Sequence, residues 1–212
     1  MYRLTVTVLA AATILVGGIA ARPEAQAPAQ PGITLPVRLT AFAVNMSNIG
    51  TGSSGVLEIN IERWSPAAER KTLIETMLTK GQDSLLSALQ KTKPKGRMRF
   101  PGWMGPDPHN ARLGWDLHYA WNVPLAEGGQ QIVLATDRYI GFWEARNQPR
   151  TVDYPFSLVQ IQLNKDGEGQ GTFAVATKIS FDKKKNAVEL ENYSSEPVRL
   201  NNVKMESAKK KI

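Results

Sequence analysis

Residues 56–64 read VLEINIERW, and their alternation decides how the chain is to be read. Leu57, Ile59 and Ile61 fall on one side of an extended backbone, and Glu58, Asn60 and Glu62 on the other. A period of two is that of a β-strand with one dry face and one wet face. On a helix the same residues would scatter around the circumference and leave no apolar stripe.

The pattern extends outward from there. Upstream, Val37 to Met46 is a second strand candidate, joined to the first by the loop SNIGTGSSG. Downstream comes a helical interval. Ser65 suits an N-cap, Pro66 the first helical position and Gly81 the position just past the end. Leu73, Ile74, Met77 and Leu78 recur at helical spacing. A second short helix is expected from Asp83 to Gln90, with Leu85, Leu86 and Leu89 inward, which makes a helical hairpin. β-type segments then run to the C-terminus: 97–100, 113–122, 131–136, 140–145, 156–163, 172–181, 187–193 and 198–205. GG at 128–129, NKDGEGQG at 164–171, DKKKN at 182–186 and SSEP at 194–197 separate several of them. Short connections imply antiparallel neighbours. The fold class expected is mainly β (α+β): an antiparallel β-barrel or sandwich of about 8–10 strands, with one helical hairpin inserted after strand 2.

The N-terminal MYRLTVTVLAAATILVGGIA has one charge, Arg3, then an apolar run ending in small residues. This is the pattern of a secretory signal peptide over residues 1–20; the rival is an uncleaved anchor, for which the apolar run is short. Residues 21–32, rich in Ala, Pro and Gln, read as a disordered linker. A single β-rich domain is expected over 33–206 and a basic tail over 207–212. The location expected is periplasmic or extracellular, with no transmembrane span after signal cleavage. The chain has no cysteine, which rules out thiolate metal sites and cysteine nucleophiles. Its formal charge is +7. Such an excess favours anionic partners without choosing among them. No nucleic-acid motif is present, so nucleic acid is not an expected partner.

Four features bear on chemistry. In KTKPKGRMR, Lys91, Lys93, Lys95, Arg97 and Arg99 occupy every second position. If extended, they would form a basic stripe for an anionic surface, or an edge strand protected by charge and Pro94. In LGWDLHYAW, Leu113, Trp115, Leu117, Tyr119 and Trp121 share a face, as core or as the wall of an apolar ligand pocket, with Asp116 and His118 opposite. NKDGEGQG spaces Asn164, Asp166 and Glu168 like a partial calcium loop, but a hairpin turn explains it without a metal. DRYIGFWEARNQPRTVDYPF, residues 137–156, concentrates arginines, acids and aromatics. Arg138, Trp143, Glu144, Arg146 and Arg150 are ligand-binding candidates there. Glu144 and Asp153 are the right residue types for a glycosidase-like pair, or they hold a sheet corner by pairing with the arginines. Two histidines, His109 and His118, without a metal-ligand spacing, argue against a transition-metal site. No nucleophile, P-loop or dinucleotide motif appears, and no cofactor is expected.

ERWS at 62–65, ATDRYIGFWEARNQPRTVDYPF at 135–156, LNKDGEGQG at 163–171 and LENYSSEPVRLNNV at 190–203 resemble a family of small exported bacterial proteins. The resemblance implies an envelope or extracellular location and carries no activity, ligand or catalytic residue. The PGWMGPDPHNA segment at 101–111 is longer than in that pattern. The function expected is an exported non-enzymatic domain binding a small apolar, amphipathic or anionic envelope ligand through Trp115, Tyr119, Trp121 or Trp143, with Arg138 or Arg146 reading an anionic group. The alternatives are a structural protein meeting an anionic surface through 91–99, and a hydrolase using Glu144 and Asp153, with or without His118.

Overall fold

The computed structural model describes residues 33–44, 54–102, 113–125, 128–138, 156–175, 178–182, 187–191 and 198–207. The expected signal peptide, the linker, the strand at 140–145, and His109, Trp143, Glu144, Arg146, Arg150 and Asp153 lie outside them. The elements are β1 (Val37–Val44), β2 (Ser54–Ile61), α1 (Ala67–Lys80), α2 (Gln82–Gln90), β3 (Gly96–Arg99), β4 (Trp115–Pro124), β5 (Gln130–Thr136), β6 (Ser157–Leu163), β7 (Glu168–Val175), β8 (Lys178–Asp182), β9 (Ala187–Glu191) and β10 (Val198–Ser207).

Eight strands close into an antiparallel barrel in the order β1-β10-β7-β6-β5-β4-β3-β2. Each strand neighbours the next in the chain except where β8 and β9 leave as a separate two-stranded sheet before β10 returns to close on β1. The choice between barrel and sandwich is thus settled as a barrel. Closure leaves the barrel itself without a free edge, the usual site of pairing with other chains.

Alternation explains the interior. Leu57, Ile59 and Ile61 of β2 meet Leu39, Ala41 and Ala43 of β1, Met98, Leu117, Ile132, Ile161 and Phe173 inside, all buried. Trp115 stands half-buried at one end of this core, its ring edge-on to Phe100 with centroids 6.1 Å apart. The barrel is therefore filled by its own side chains, as small eight-stranded barrels are. Outward positions of β10, β1, β2, β3 and β4 carry polar rows: Glu206, Arg38, Asn60, Arg97 and Asp116 lie in register, as do Glu168, Lys204, Thr40, Glu58 and Arg99. An apolar inside and charged outside is the inverse of a membrane barrel. No helix among the described residues is long and apolar enough to cross a membrane.

A second apolar cluster lies on the outer wall. The α1–α2 hairpin, inserted after β2, lays Leu73, Leu85 and Leu89 on Tyr119, Trp121, Val133 and Leu158 of β4, β5 and β6. Its apolar face is narrower than the spacing implies, since Leu78 is left exposed. Pro66 occupies the α1 cap position without a side-chain cap, and the Ser65 hydroxyl instead accepts from the Ala120 N–H at 3.3 Å. The strand extension past Ile61 thus competes with the helix for Ser65, and the strand wins. Gly81, at φ 79°, links the two helices as expected.

Candidate functional site

The aromatic stripe is the first sequence-derived candidate, and the structure divides it. Leu117 pairs with Thr136 while Tyr119 pairs with Ala135, so a bulge inserts one extra residue at His118. A bulge changes the phase of a strand. Trp115 and Leu117 face the barrel core, Ala120 takes the inward position next, and Tyr119 and Trp121 turn outward beneath α1. The single aromatic face is not formed. Leu113 precedes the strand and is exposed.

Beneath α1 the polar groups are tied to one another. The Arg70 guanidinium stacks over the Trp121 ring, 4.9 Å from its centroid. Burial pushes the Tyr119 phenol far above its usual range, against the opposing pull of Arg70, which also hydrogen-bonds it. Lys95, buried, places Nζ 2.8 Å from Glu69 Oε2. Tyr119 and Trp121 are thus sealed between sheet and helix, where they hold the hairpin down and offer no surface to a ligand.

The bulge that breaks the stripe also buries His118. Its Nδ1 lies 3.0 Å from the Leu89 carbonyl, 3.1 Å from the Thr92 carbonyl and 3.3 Å from Thr92 Oγ1. Two carbonyls can only accept, so Nδ1 carries the hydrogen and closes the C-terminal end of α2. The Thr92 hydroxyl lies 2.8 Å from both the Leu89 and the His118 carbonyls, which share its one hydrogen. An Nδ1 that already holds a hydrogen cannot take one from Thr92, so this trio is not an activated nucleophile. On its other side Nε2 faces Asp137 Oδ2 at 3.5 Å, not Asp116, whose carboxylate accepts from Arg97. Asp137 also pairs with exposed Arg138 at 3.2 Å. The described start of the arginine-aromatic segment is therefore a tied corner.

The basic stripe is distributed differently from either reading. β3 is hydrogen-bonded to β2 on one side and β4 on the other, so it is no edge strand. Lys95 pairs with Glu69, Arg97 with Asp116 at 3.1 Å and Arg99 with Glu58 at 2.7 Å. Lys91 ends α2, and Lys93 is exposed beside it. Three of the five cations are thus neutralised locally. The NKDGEGQG segment is the β6–β7 hairpin turn. Asn164 Oδ1 accepts the Asp166 and Glu168 N–H groups at 2.9 Å each, which commits that oxygen to the backbone.

Sequence patterns of alternation and spacing gave no hint of a polar groove of about 960 Å³ at the β4–β5 and β6–β7 end. Its lining includes Gln162, Asn164, Glu168, Gln170, Asn201 and Asn202. β10 is bulged between Leu200 and Val203, with Asn202 at φ 50°, so two adjacent carboxamides stand opposite Gln170. Gln162 and Gln170 are cross-strand partners on β6 and β7. Among the described lining residues the charged one is Glu168, which pairs with Lys204 at 3.4 Å. The available signal was the run of uncharged carboxamides in SLVQIQL, GQG and LNN, where β2, β3 and β4 carry charges.

The fold and groove define the molecule as a closed, core-filled antiparallel barrel with a polar outer groove. No family model, curated protein or solved structure matches the chain.

Proposed function

We propose that the protein is an exported, non-enzymatic binding domain that holds its ligand on the outside of the barrel. The observation that carries this reading is the groove: the barrel interior is filled by side chains, while Gln162, Gln170, Asn201 and Asn202 stand exposed around an open volume of about 960 Å³. Ligand sites are concave and place a few convergent polar groups. The apolar pocket expected from Trp115, Tyr119 and Trp121 loses support, because these rings belong to the core and to the helix seat. The basic stripe loses it too, because Lys95, Arg97 and Arg99 already have carboxylate partners. The leader-like residues 1–20 support export.

The test is native mass spectrometry on mature protein taken gently from its source envelope, beside a Gln170→Ala/Asn201→Ala double variant prepared alike. The expected result is a reproducible adduct, lost on denaturation and absent from the double variant. An adduct of equal occupancy on both proteins would move the site elsewhere.

A further inference from the structure

The strand register extends the groove into a row. Gln131 of β5 is the partner of Gln162 of β6, and Gln162 is the partner of Gln170 of β7. Gln170 faces the Asn201–Asn202 bulge of β10. Asn201 is the partner of Phe42 on β1, and Phe42 of Val56 on β2. Phe42 and Val56 are among the few large exposed apolar side chains of the described residues, at 42 % and 47 %. A belt of carboxamides crossing β5, β6, β7 and β10 therefore ends against an exposed aromatic ring. The facing side of the barrel has the ion-paired rows instead.

We propose that this belt binds a neutral, hydroxyl-rich chain, an oligosaccharide, laid across the strands with a sugar ring stacked on Phe42; this rests on the groove being the binding site. Each carboxamide offers both a donor and an acceptor, as a sugar hydroxyl does, and bears no charge to select an ion. Strands about 4.8 Å apart repeat these groups at a regular step, which suits a polymer with a regular repeat of hydroxyls. The negative face of an aromatic ring accepts the C–H face of a pyranose, and Val56 widens that apolar patch. Glu168, the charged group among the described lining residues, already has Lys204 as its partner, so the carboxamides are the groups left to read the ligand. A bulge with a left-handed non-glycine residue is the kind of local strain that clusters at ligand clamps.

The experiment titrates the mature protein with cellohexaose, maltohexaose and chitohexaose by calorimetry and amide chemical-shift mapping. One of the three should bind with shifts in β6, β7 and β10. Gln170→Ala and Asn201→Ala should each weaken it about fivefold to tenfold, the size of one lost hydrogen bond. Phe42→Ala should do at least the same, while Arg38→Ala, next to Asn60, leaves the affinity unchanged. These variants replace exposed side chains, so circular dichroism should show an intact fold. Binding indifferent to Phe42 and Gln170 would overturn the site. If no hexasaccharide binds, yet the envelope adduct is present and lost in the double variant, the carbohydrate class falls and the groove stands. Absence of both adduct and oligosaccharide binding overturns the two readings together.

Discussion

Lys95 is 3 % exposed and holds its ammonium 2.8 Å from Glu69 Oε2, while Glu69 itself keeps some access to water. The two partners are therefore not equivalent. Removing the carboxylate strands a nearly dry cation, whereas removing the ammonium leaves a carboxylate on a side chain that is 23 % exposed, although its Oε1 is itself buried without a hydrogen-bond partner. Glu69→Ala should lower the unfolding free energy by about 2–3 kcal/mol, and Lys95→Met by about 1 kcal/mol, measured by urea denaturation. Equal losses would mean that the two charges are equally cut off from water. Nearby, Tyr119 gives a pH dependence of definite sign. Its folded value is raised by burial, so above about pH 10 the unfolded chain loses a proton that the folded protein keeps. The stability from this group is fully present below about pH 10 and falls at up to about 1.4 kcal/mol per unit as pH rises through the window to the folded value. Tyr119→Phe gives up about 1 kcal/mol at neutral pH, the bond to Arg70, and its deficit against the parent should shrink above pH 10. A deficit constant across pH would show that Tyr119 titrates alike in both states. None of this pairing could be read from the sequence, because Glu69 and Lys95, or Arg70 and Tyr119, meet only once a helix has been laid on a particular strand face.

At the scale of elements, the helical hairpin depends on one turn and one apolar seam. Gly81 has φ 79° and ψ −177°, a region open essentially to glycine, and a Cβ there meets nothing within 4 Å. The cost of Gly81→Ala is therefore purely conformational, about 1–3 kcal/mol, with no steric part. Leu89, 2 % exposed, is the most deeply buried hydrophobic residue of the hairpin. Leu89→Ala should cost about 2–4 kcal/mol in thermal or urea unfolding and leave Trp121 fluorescence red-shifted in the native state. An unshifted spectrum would mean that Arg70 and Leu73 alone keep water from the ring. Elements like these were legible where local pattern is strong: the alternation of β2, the leucines of α2, the glycine between helices and the hairpin turn after β6. The reading failed at the His118 bulge. A one-residue insertion is invisible to a period-two argument, and it reassigns every side chain after it to the opposite face. LGWDLHYAW therefore looked like one stripe when it is half barrel core and half helix seat.

For the whole molecule, what eluded the sequence was register. Gln131, the Gln162–Gln170 pair of one hairpin, and Asn201 are far apart in the chain, and only the pairings β5–β6–β7–β10 bring them into one row. Closure was equally non-local, since it rests on β10 returning to β1 after the β8–β9 excursion. The same topology makes a prediction about cooperativity. The barrel core and the helix-covered cluster are two faces of the same strands: Ile132 and Leu134 point in where Val133 and Ala135 point out, and Val159 and Ile161 point in where Leu158 points out. Neither side of β4, β5 or β6 can be wetted without loosening the ladder that also supports the other. The hairpin should therefore not melt as a separate unit, although it contributes no strand to the barrel. Trp115 reports on the inner core and Trp121 on the outer cluster. The unfolding signals removed by Trp115→Phe and by Trp121→Phe should share one midpoint, which should coincide with that of far-ultraviolet circular dichroism once each variant's own stability is allowed for. An earlier midpoint for the Trp121 signal would show that the hairpin detaches first. In that case the apolar outer wall of β4–β6 would be exposed in a partly unfolded state, and aggregation at intermediate urea would follow.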